Sequence, residues 1–223
     1  MPASCVLCQS ACAQFFTDAR RTYLQCSKCA LVFADPQSWP TQSEEKAEYD
    51  LHENDVNDAG YNAFLARMVE PLRNRLPNQA RVLDFGCGPA PALAEQLKAL
   101  GYQVFLYDLF YYPDTQALNQ TYDAIVMTEV IEHLHQPRPQ LEQLWSQLNP
   151  GGVLGVMTQR VINKERFQNW QYKNDPTHVC FYHENTFRWL AEVMGASEVA
   201  FEGRDMVFLT KPQTCKTSAT TEK

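Results

Sequence analysis

A short apolar strand that runs into a glycine-rich turn constrains this chain more than any other stretch. Residues 81–90 read Arg-Val-Leu-Asp-Phe-Gly-Cys-Gly-Pro-Ala, and residues 91–100 continue with the apolar spacing of an amphipathic helix. Gly86 and Gly88 carry no side chain, so a ligand could lie directly against the backbone there. The helix points its amino-terminal N–H groups at the same place. The stretch therefore predicts a ligand-binding turn, and the alternative is a structural turn that only needs flexible residues.

Strands and helices alternate after this turn. The predicted strands are residues 81–85, 102–107, 122–127, 153–157, 197–201 and 205–210, and the predicted helices are residues 91–100, 141–148 and 185–194. This alternation predicts an α/β fold with a doubly wound, mostly parallel sheet, whose last two strands are close enough in sequence to be antiparallel. A ligand cleft is expected at the carboxyl ends of the parallel strands.

Two C-x-x-C pairs with 17 residues between them lie near the N-terminus: Cys5, Cys8, Cys26 and Cys29. Four thiolates at this spacing are typical of a closed tetrahedral zinc site that holds a small module together, and free thiols are the alternative. The segments at 15–16 and 23–24 predict a β-hairpin between the pairs, so residues 1–34 are predicted to form a zinc ribbon. Cys12 is surplus and is expected to be a small buried residue.

Composition narrows the class of protein. With 223 residues, 45% of them hydrophobic, the chain can form one substantial core and a small additional module. No stretch is apolar enough to predict a membrane helix, and no signal segment is apparent, so a cytoplasmic protein is expected. The net charge of -7 argues against a surface that holds nucleic acid non-specifically.

Residues 35–78 predict a linker followed by two helices. Tyr49 and His52 are three residues apart in an acidic helical stretch and would share a face. The stretch is typical of a solvated helix, and the alternative is a lid over the later cleft in which these two residues contact substrate. A second helix spans the apolar positions from 61 to 72. The main domain is predicted to span residues 79–210, and the polar residues 211–223 to be a disordered tail.

Asp108 ends the second predicted strand, where a carboxylate can take both hydroxyls of a ribose. A dinucleotide-binding turn would need a third glycine at position 91, where this chain has Pro91. Asp84 instead supplies a carboxylate that could hold an ammonium group. The combination favours a nucleoside that carries an amino acid.

With these residues the chain resembles the class I S-adenosylmethionine-dependent methyltransferases. Further matching segments are residues 122–133 and the Asn-Pro-Gly-Gly turn at 149–152. The resemblance implies a Rossmann-like sheet and methyl transfer from a sulfonium donor, with these residues around the cofactor: Asp84, Phe85, Gly86, Cys87, Gly88, Asp108, Leu109, Phe110 and Glu129. Only 13 residues separate Asp108 from Tyr122, which is too short for the usual helix and third strand, so the third strand is expected to be missing.

Glu129, Glu132 and His133 would converge on one face if a helical turn followed the strand at 122–127. Together with His178 they resemble the metal-dependent branch that includes ubiquinone-pathway O-methyltransferases and small-RNA 3′-terminal ribose methyltransferases, where matching residues bind magnesium or a similar divalent cation. Two alternatives remain open. The residues could shape the cofactor pocket without metal, or a bare His178 or His133 could be the catalytic general base.

The aromatic loop at 167–178 favours a substrate-binding role for Trp170, Tyr172 and His178. The resulting prediction is a methyltransferase that acts on a small molecule, with O-methylation favoured. Two alternatives are an RNA methyltransferase that uses the ribbon for recognition, and a zinc-ribbon interaction protein that binds the cofactor without turnover.

Overall fold

A computed structural model of the chain describes residues 4–51 and 58–213. His52 and most of the predicted tail, residues 214–223, lie outside the described residues. The strands are β1 (Cys12–Thr17), β2 (Thr22–Cys26), β3 (Val32–Ala34), β4 (Arg81–Phe85), β5 (Gln103–Tyr107), β6 (Tyr122–Thr128), β7 (Leu148–Met157), β8 (Cys180–Phe181), β9 (Glu198–Glu202) and β10 (Met206–Thr210). The helices are α1 (Gln42–Tyr49), α2 (Ala59–Arg73), α3 (Ala92–Ala99), α4 (Pro137–Gln147), α5 (Lys164–Gln168) and α6 (Glu184–Met194).

The central sheet has six strands in the order β5-β4-β6-β7-β10-β9. The first four are parallel, while β10 is antiparallel to both β7 and β9. The mostly parallel α/β sheet and its antiparallel end are confirmed. Among the described residues no strand lies between β5 and β6, where a short 310 turn (Thr115–Asn119) takes its place. The expected loss of the third strand is therefore confirmed as well.

Both faces of the sheet are covered because alternate strand residues point to opposite sides. Val82 and Val126 pack with the apolar residues of α2 and α3. Leu83 and Ile125 point the other way and pack with those of α4 and α6. This second core continues into the N-terminal segment, including Phe33 of β3. The sheet edge at the carboxyl ends of the parallel strands is thereby left for a cleft.

Several boundaries differ from the prediction for local reasons. Helix α4 begins at Pro137 rather than at 141, because proline suits the first helical turn, where no N–H donor is needed. Strand β7 begins at Leu148 and takes in the predicted turn at 149–152. Helix α1 begins directly after Thr41, whose side chain and that of Glu44 form a reciprocal cap. In the described part of the chain, every helix is too short or too polar to span a bilayer.

A second sheet, with the order β1-β2-β3-β8, joins the N-terminal segment to the rest of the chain. Strands β1 and β2 form the predicted antiparallel hairpin. Strand β3 pairs with β8, which lies far away in sequence, through Val32 opposite Phe181 and Phe33 opposite Cys180. The loop that precedes β8 contains His178, so the N-terminal hairpin lies next to a segment that the sequence assigns to the functional site.

Candidate functional site

A cavity of about 490 Å³ opens at the carboxyl ends of β4, β5 and β6. Its size is within the range of about 300–1,000 Å³ that is usual for small-molecule pockets. All nine residues that the sequence analysis places around a cofactor line it: Asp84, Phe85, Gly86, Cys87, Gly88, Asp108, Leu109, Phe110 and Glu129. Tyr49, His133 and His178 line the same cavity.

The turn after β4 leaves its backbone bare on the side of the cavity. Gly86 has φ +74°, and a Cβ atom there would lie 2.5 Å from Cγ2 of Val130, so a side chain has no room. Gly88 has φ +64°, but a Cβ atom there would meet nothing within 4 Å. The space at Gly88 therefore belongs to the cavity, and a ligand can come close to the backbone at this point.

Asp84 is 2% exposed at the end of β4, and its Oδ1 atom is buried without a hydrogen-bond partner among the described residues. Burial and the charge of Asp108 raise the pKa of Asp84 to about 7. A buried carboxylate that lacks a donor is a strong acceptor for a ligand cation. The site thus fits the ammonium group of an amino-acid-bearing cofactor.

Asp108 faces the same cavity from the end of β5 and is held rigidly. Its Oδ2 atom accepts a hydrogen bond from the Gly88 amide at 3.0 Å, and Oδ1 accepts from the amides of Phe110 at 2.9 Å and Tyr111 at 3.1 Å. These bonds fix the orientation of the carboxylate and leave acceptor capacity for the hydroxyls of a ribose.

Helix α1 covers one side of the cavity with Glu45 and Tyr49. The Tyr49 ring lies 5.7 Å from that of Phe110 and 5.3 Å from that of His133. Just after the helix, the Tyr111 hydroxyl donates to Asp50 at 2.8 Å. The helix therefore bridges the predicted cofactor residues and the histidines, while movement of this helix as a lid stays a prediction.

At the other end of the cavity, His133 and His178 pack together with ring centroids 4.7 Å apart. Nδ1 of His178 lies 2.7 Å from the backbone oxygen of Tyr172, and Nδ1 of His133 lies 3.1 Å from that of Thr177. Since a carbonyl oxygen only accepts, both Nδ1 atoms carry the proton in these bonds, and in the neutral rings Nε2 keeps a lone pair. Nε2 of His178 lies 3.7 Å from the Asp175 carboxylate.

Tyr172 lies next to this end of the cavity and connects the half-buried Glu129 with the buried Glu132. Its hydroxyl is 2.9 Å from Glu129, lies in a short contact with Glu132, and is 3.2 Å from Thr158. One hydroxyl proton serves one carboxylate fully, so this arrangement favours protonation of one of the two glutamates. In keeping with this, burial raises the pKa of Glu129 to about 7 and raises that of Glu132 well above its usual value.

The proposed metal ligands are only partly brought together. Potential ligand atoms of Glu132, His133 and His178 lie within 4.8 Å of one another. Glu129 is outside this group, because it precedes the 310 turn (Ile131–His133) with φ +52° and is not on the expected helical face. Glu132 is fully buried, and its Oε2 atom has no hydrogen-bond partner among the described residues.

Trp170 does not line this cavity. It lines a neighbouring cleft of about 700 Å³ that also contains four arginines: Arg67, Arg160, Arg166 and Arg204. Its indole N–H donates to Gln159 at 3.1 Å. Of the three residues predicted from the aromatic loop, the structure therefore places His178 at the cavity, Tyr172 beside it and Trp170 in the next cleft.

The four predicted zinc ligands converge. Sγ of Cys5 lies 3.6 Å from that of Cys29, Sγ of Cys8 lies 3.3 Å from that of Cys26, and all four sulfur atoms are within 4.8 Å of one another. Zn–S bonds of about 2.3 Å put sulfurs about 3.8 Å apart in a tetrahedron, so the cluster has nearly the right size. Cys12 is half-buried and outside the group.

The cavity is also lined by polar and aromatic residues to which the sequence patterns assign no role in the site: Glu45, Tyr61, Tyr107, Tyr111, Gln140 and Asp175. Tyr107 and Tyr111 are close to Asp108 in sequence, and this closeness is a signal that could have indicated them. Glu45 and Gln140 reach the cavity only through the packing of their helices, for which the sequence carries no local signal.

A family model described as a methyltransferase domain matches residues 57–199, which is more than half of the chain. The chain belongs to this methyltransferase family. It is therefore an enzyme of the methyltransferase class. No curated protein matches the chain.

Solved structures support the methyltransferase fold. A 1,6-didemethyltoxoflavin-N1-methyltransferase from Burkholderia thailandensis is 15% identical, with 90% of this chain and 99% of that chain covered and a TM-score of 0.53. A SAM-dependent methyltransferase from Archaeoglobus fulgidus is 17% identical, with 67% and 93% covered and a TM-score of 0.52. An O-methyltransferase family protein from Burkholderia thailandensis is 14% identical, with 81% and 69% covered and a TM-score of 0.51.

Proposed function

We propose that this methyltransferase transfers a methyl group to a hydroxyl oxygen of a small molecule and that His178 accepts the hydroxyl proton. One observation carries the proposal: the predicted cofactor residues and both histidines line the same cavity. Donor and acceptor could therefore meet in one cavity, and methyl transfer needs little more than such alignment and the exclusion of water.

The residues around the turn fit S-adenosylmethionine. Asp84 would take the ammonium group, Asp108 the ribose hydroxyls, and the bare backbone at Gly88 the body of the ligand, with Leu109 and Phe110 beside the adenine. When bound, this cofactor supplies an electrophilic methyl group and a neutral thioether as the leaving group. The unpartnered Oδ1 atom of Asp84 is the feature that best supports the fit.

His178 suits the role of general base. Its Nδ1 atom bonds to the carbonyl of Tyr172, and in that tautomer the neutral ring has its lone pair on Nε2, which is the atom that can take a proton from a hydroxyl. Burial opposes ionisation of Asp175, but His178 and hydrogen bonds from Thr177 outweigh it and lower the pKa of Asp175. A charged carboxylate 3.7 Å away would stabilise the imidazolium that forms.

Two assignments to metals accompany this proposal. The cluster of Cys5, Cys8, Cys26 and Cys29 would hold a structural zinc ion, since four thiolates fill its coordination sphere. Glu132, His133 and His178 are the candidate ligands of a magnesium or similar divalent cation, which would lower the pKa of the acceptor hydroxyl. His178 cannot serve as free base and metal ligand at once, so these two roles are alternatives.

A small-molecule acceptor is favoured over RNA because the chain has a net charge of -7 and the cavity is of small-molecule size. The predicted location in the cytoplasm stays a prediction.

The test is the release of S-adenosylhomocysteine by the full chain with a panel of hydroxyl-bearing, amine-bearing and carbon-acid small molecules and with total RNA. Product formed with hydroxyl compounds alone would support the proposal. Product formed only with RNA, or only with amines or carbon acids, would contradict it.

A further inference from the structure

Arg21 connects the N-terminal hairpin to the loop that contains His178. It lies directly before β2 and is only 9% exposed. Its guanidinium donates to the backbone oxygens of four loop residues: Lys173 in a short contact, Asp175 at 2.9 Å, Pro176 at 3.2 Å and His178 at 2.9 Å. A single side chain of the hairpin thus holds much of the backbone of this loop.

The loop depends on these bonds because it has little regular structure of its own. Between α5 and β8, which begins at Cys180, the only regular element among the described residues is a short 310 turn (Gln171–Asn174). Buried backbone carbonyls require donors, and a guanidinium offers five N–H groups in a fixed plane. Loss of Arg21 would take a donor from all four carbonyls. Those of Lys173 and Asp175 would keep bonds of 3.3 Å from the Tyr23 hydroxyl and the His178 amide. Those of Pro176 and His178 would need water to enter or the loop to move.

A second contact reinforces the connection. The ammonium group of Lys173, which is 5% exposed, lies 2.7 Å from the Asp18 carboxylate in the turn of the hairpin. It also lies over the rings of Phe16 and Tyr23. Burial opposes ionisation of Asp18, but the bond from Lys173 and two backbone amides outweigh it and lower the pKa to about 2. Hairpin and loop are therefore joined through a partly buried ion pair as well.

These contacts determine where the His178 ring lies. Its backbone oxygen is held by Arg21, and its Nδ1 atom bonds to the backbone oxygen of Tyr172, one residue before Lys173. The ring and its partner belong to the same loop, so a shift of the loop would move both of them relative to the cavity.

We propose that the N-terminal hairpin positions the acceptor end of the active site, and that Arg21 is the positioning residue through which it fixes His178. The proposal rests on the proposed function only in taking His178 as the proton acceptor. It assigns the N-terminal module to catalytic geometry rather than to recognition of a macromolecule.

The test compares Arg21→Gln with Arg20→Gln in the full chain. Arg20 is an exposed neighbour that makes one bond of 3.3 Å to the Asn174 carbonyl, so its replacement removes the same charge from the same turn. Amide hydrogen exchange of residues 172–179, affinity for S-adenosylhomocysteine and kcat are measured for each. We expect Arg21→Gln to increase loop exchange at least about tenfold and to lower kcat about 10- to 100-fold, with S-adenosylhomocysteine affinity retained.

Arg21→Lys is the second variant. A lysine keeps the charge but donates from a single point, so Arg21→Lys should fold and should have loop protection and kcat between those of Arg21→Gln and the wild type. The proposal would be overturned if Arg21→Gln had the loop exchange and the kcat of the wild type. If Arg21→Gln does not fold, the same outcome in Arg21→Lys would overturn it. Equal effects of Arg20→Gln and Arg21→Gln would also overturn it. Absence of turnover in the wild type would defeat the proposed function alone, because the exchange comparison still decides this inference.

Discussion

Asp84 and Asp108 face one cavity from the ends of the adjacent parallel strands β4 and β5 but differ in how their charges are satisfied. Asp108 accepts three backbone N–H bonds, whereas Oδ1 of Asp84 has no donor among the described residues. Asp84 is therefore costly to ionise in the absence of a ligand, and a ligand cation is what it lacks. The unsatisfied carboxylate of Asp84 would therefore bind the ammonium group of the cofactor and lower the stability of the cofactor-free protein.

Asp84→Asn should make the cofactor-free protein more stable at high pH. The folded protein raises the pKa of Asp84 from 3.8 to about 7, so its contribution to stability is present below pH 4 and is lost as the pH rises through 7. We expect the variant to exceed the wild type at pH 8 by about 2–4 kcal/mol in free energy of unfolding. Denaturant titrations at pH 5 and pH 8 measure this difference.

The same Asp84→Asn variant should bind S-adenosylhomocysteine about 10- to 100-fold more weakly, because a charge-assisted hydrogen bond to the ammonium group is lost. Glu70→Gln is the control, since it removes an equal charge from an exposed site on α2. Calorimetric titration of all three proteins tests the assignment. Unchanged affinity in Asp84→Asn would show that the ammonium group is held elsewhere.

Replacement of Gly88 by alanine should affect ligand binding and stability separately. Gly88 and Gly101 have φ values of +64° and +87°, and a Cβ atom meets nothing within 4 Å at either position. Gly88→Ala and Gly101→Ala should therefore each cost about 1–2 kcal/mol of stability through backbone strain. Only Gly88→Ala should weaken binding of S-adenosylhomocysteine, because only its methyl group enters the cavity. Similar affinities of the two variants would contradict the location of the ligand.

The local parts of the fold and site could be predicted from sequence. Gly86 and Gly88 follow an apolar strand, and Asp108 ends the next one, so each is placed by a short pattern that its own neighbours determine. The absence of the third strand could be predicted too, because the interval between Asp108 and Tyr122 is too short for a helix and a strand.

The features of the fold and of the site that could not be predicted depend on packing between segments that are distant in sequence. Strand β8 has only two residues, and its partner β3 lies almost 150 positions earlier, so no periodicity indicates the pair. Arg21 reads as an ordinary surface residue of a hairpin, and its four carbonyl partners become apparent only once the loop has folded over it. The substrate contact of Tyr172 stays a prediction, and the contacts of its hydroxyl with Glu129 and Glu132 arise from long-range packing that no local pattern indicates.

The cysteine cluster should bind one zinc ion per chain. Cys26→Ser should abolish zinc binding and lower the melting temperature, because three thiolates no longer close the site. Cys12→Ser is the matched control and should retain zinc, since Cys12 lies outside the cluster. Elemental analysis and thermal unfolding measure both effects. Since Cys26 ends β2, which begins just after Arg21, loss of zinc should also increase hydrogen exchange in the loop at 172–179. Full zinc content in Cys26→Ser would rule out the four-thiolate site.

Removal of divalent cations should leave turnover unchanged if His178 acts as an unaided base. The measurement is the rate of S-adenosylhomocysteine release after dialysis against a chelator, before and after addition of magnesium or manganese. Zinc content is checked in parallel, so that loss of the structural ion is not mistaken for loss of a catalytic one. A rate that falls on dialysis and recovers with magnesium would instead favour the cation held by Glu132, His133 and His178.

His178→Asn should lower kcat about 10²- to 10⁴-fold while affinity for S-adenosylhomocysteine stays within about twofold of the wild type, because the base is lost and the cofactor residues are untouched. His133→Asn should have a smaller effect, since the Asp175 carboxylate that stabilises the imidazolium is placed next to His178. The pH dependence of kcat provides a second readout, in which the rise that reports deprotonation of the base should disappear in His178→Asn. A variant that keeps both the rate and the pH profile of the wild type would exclude His178 as the proton acceptor.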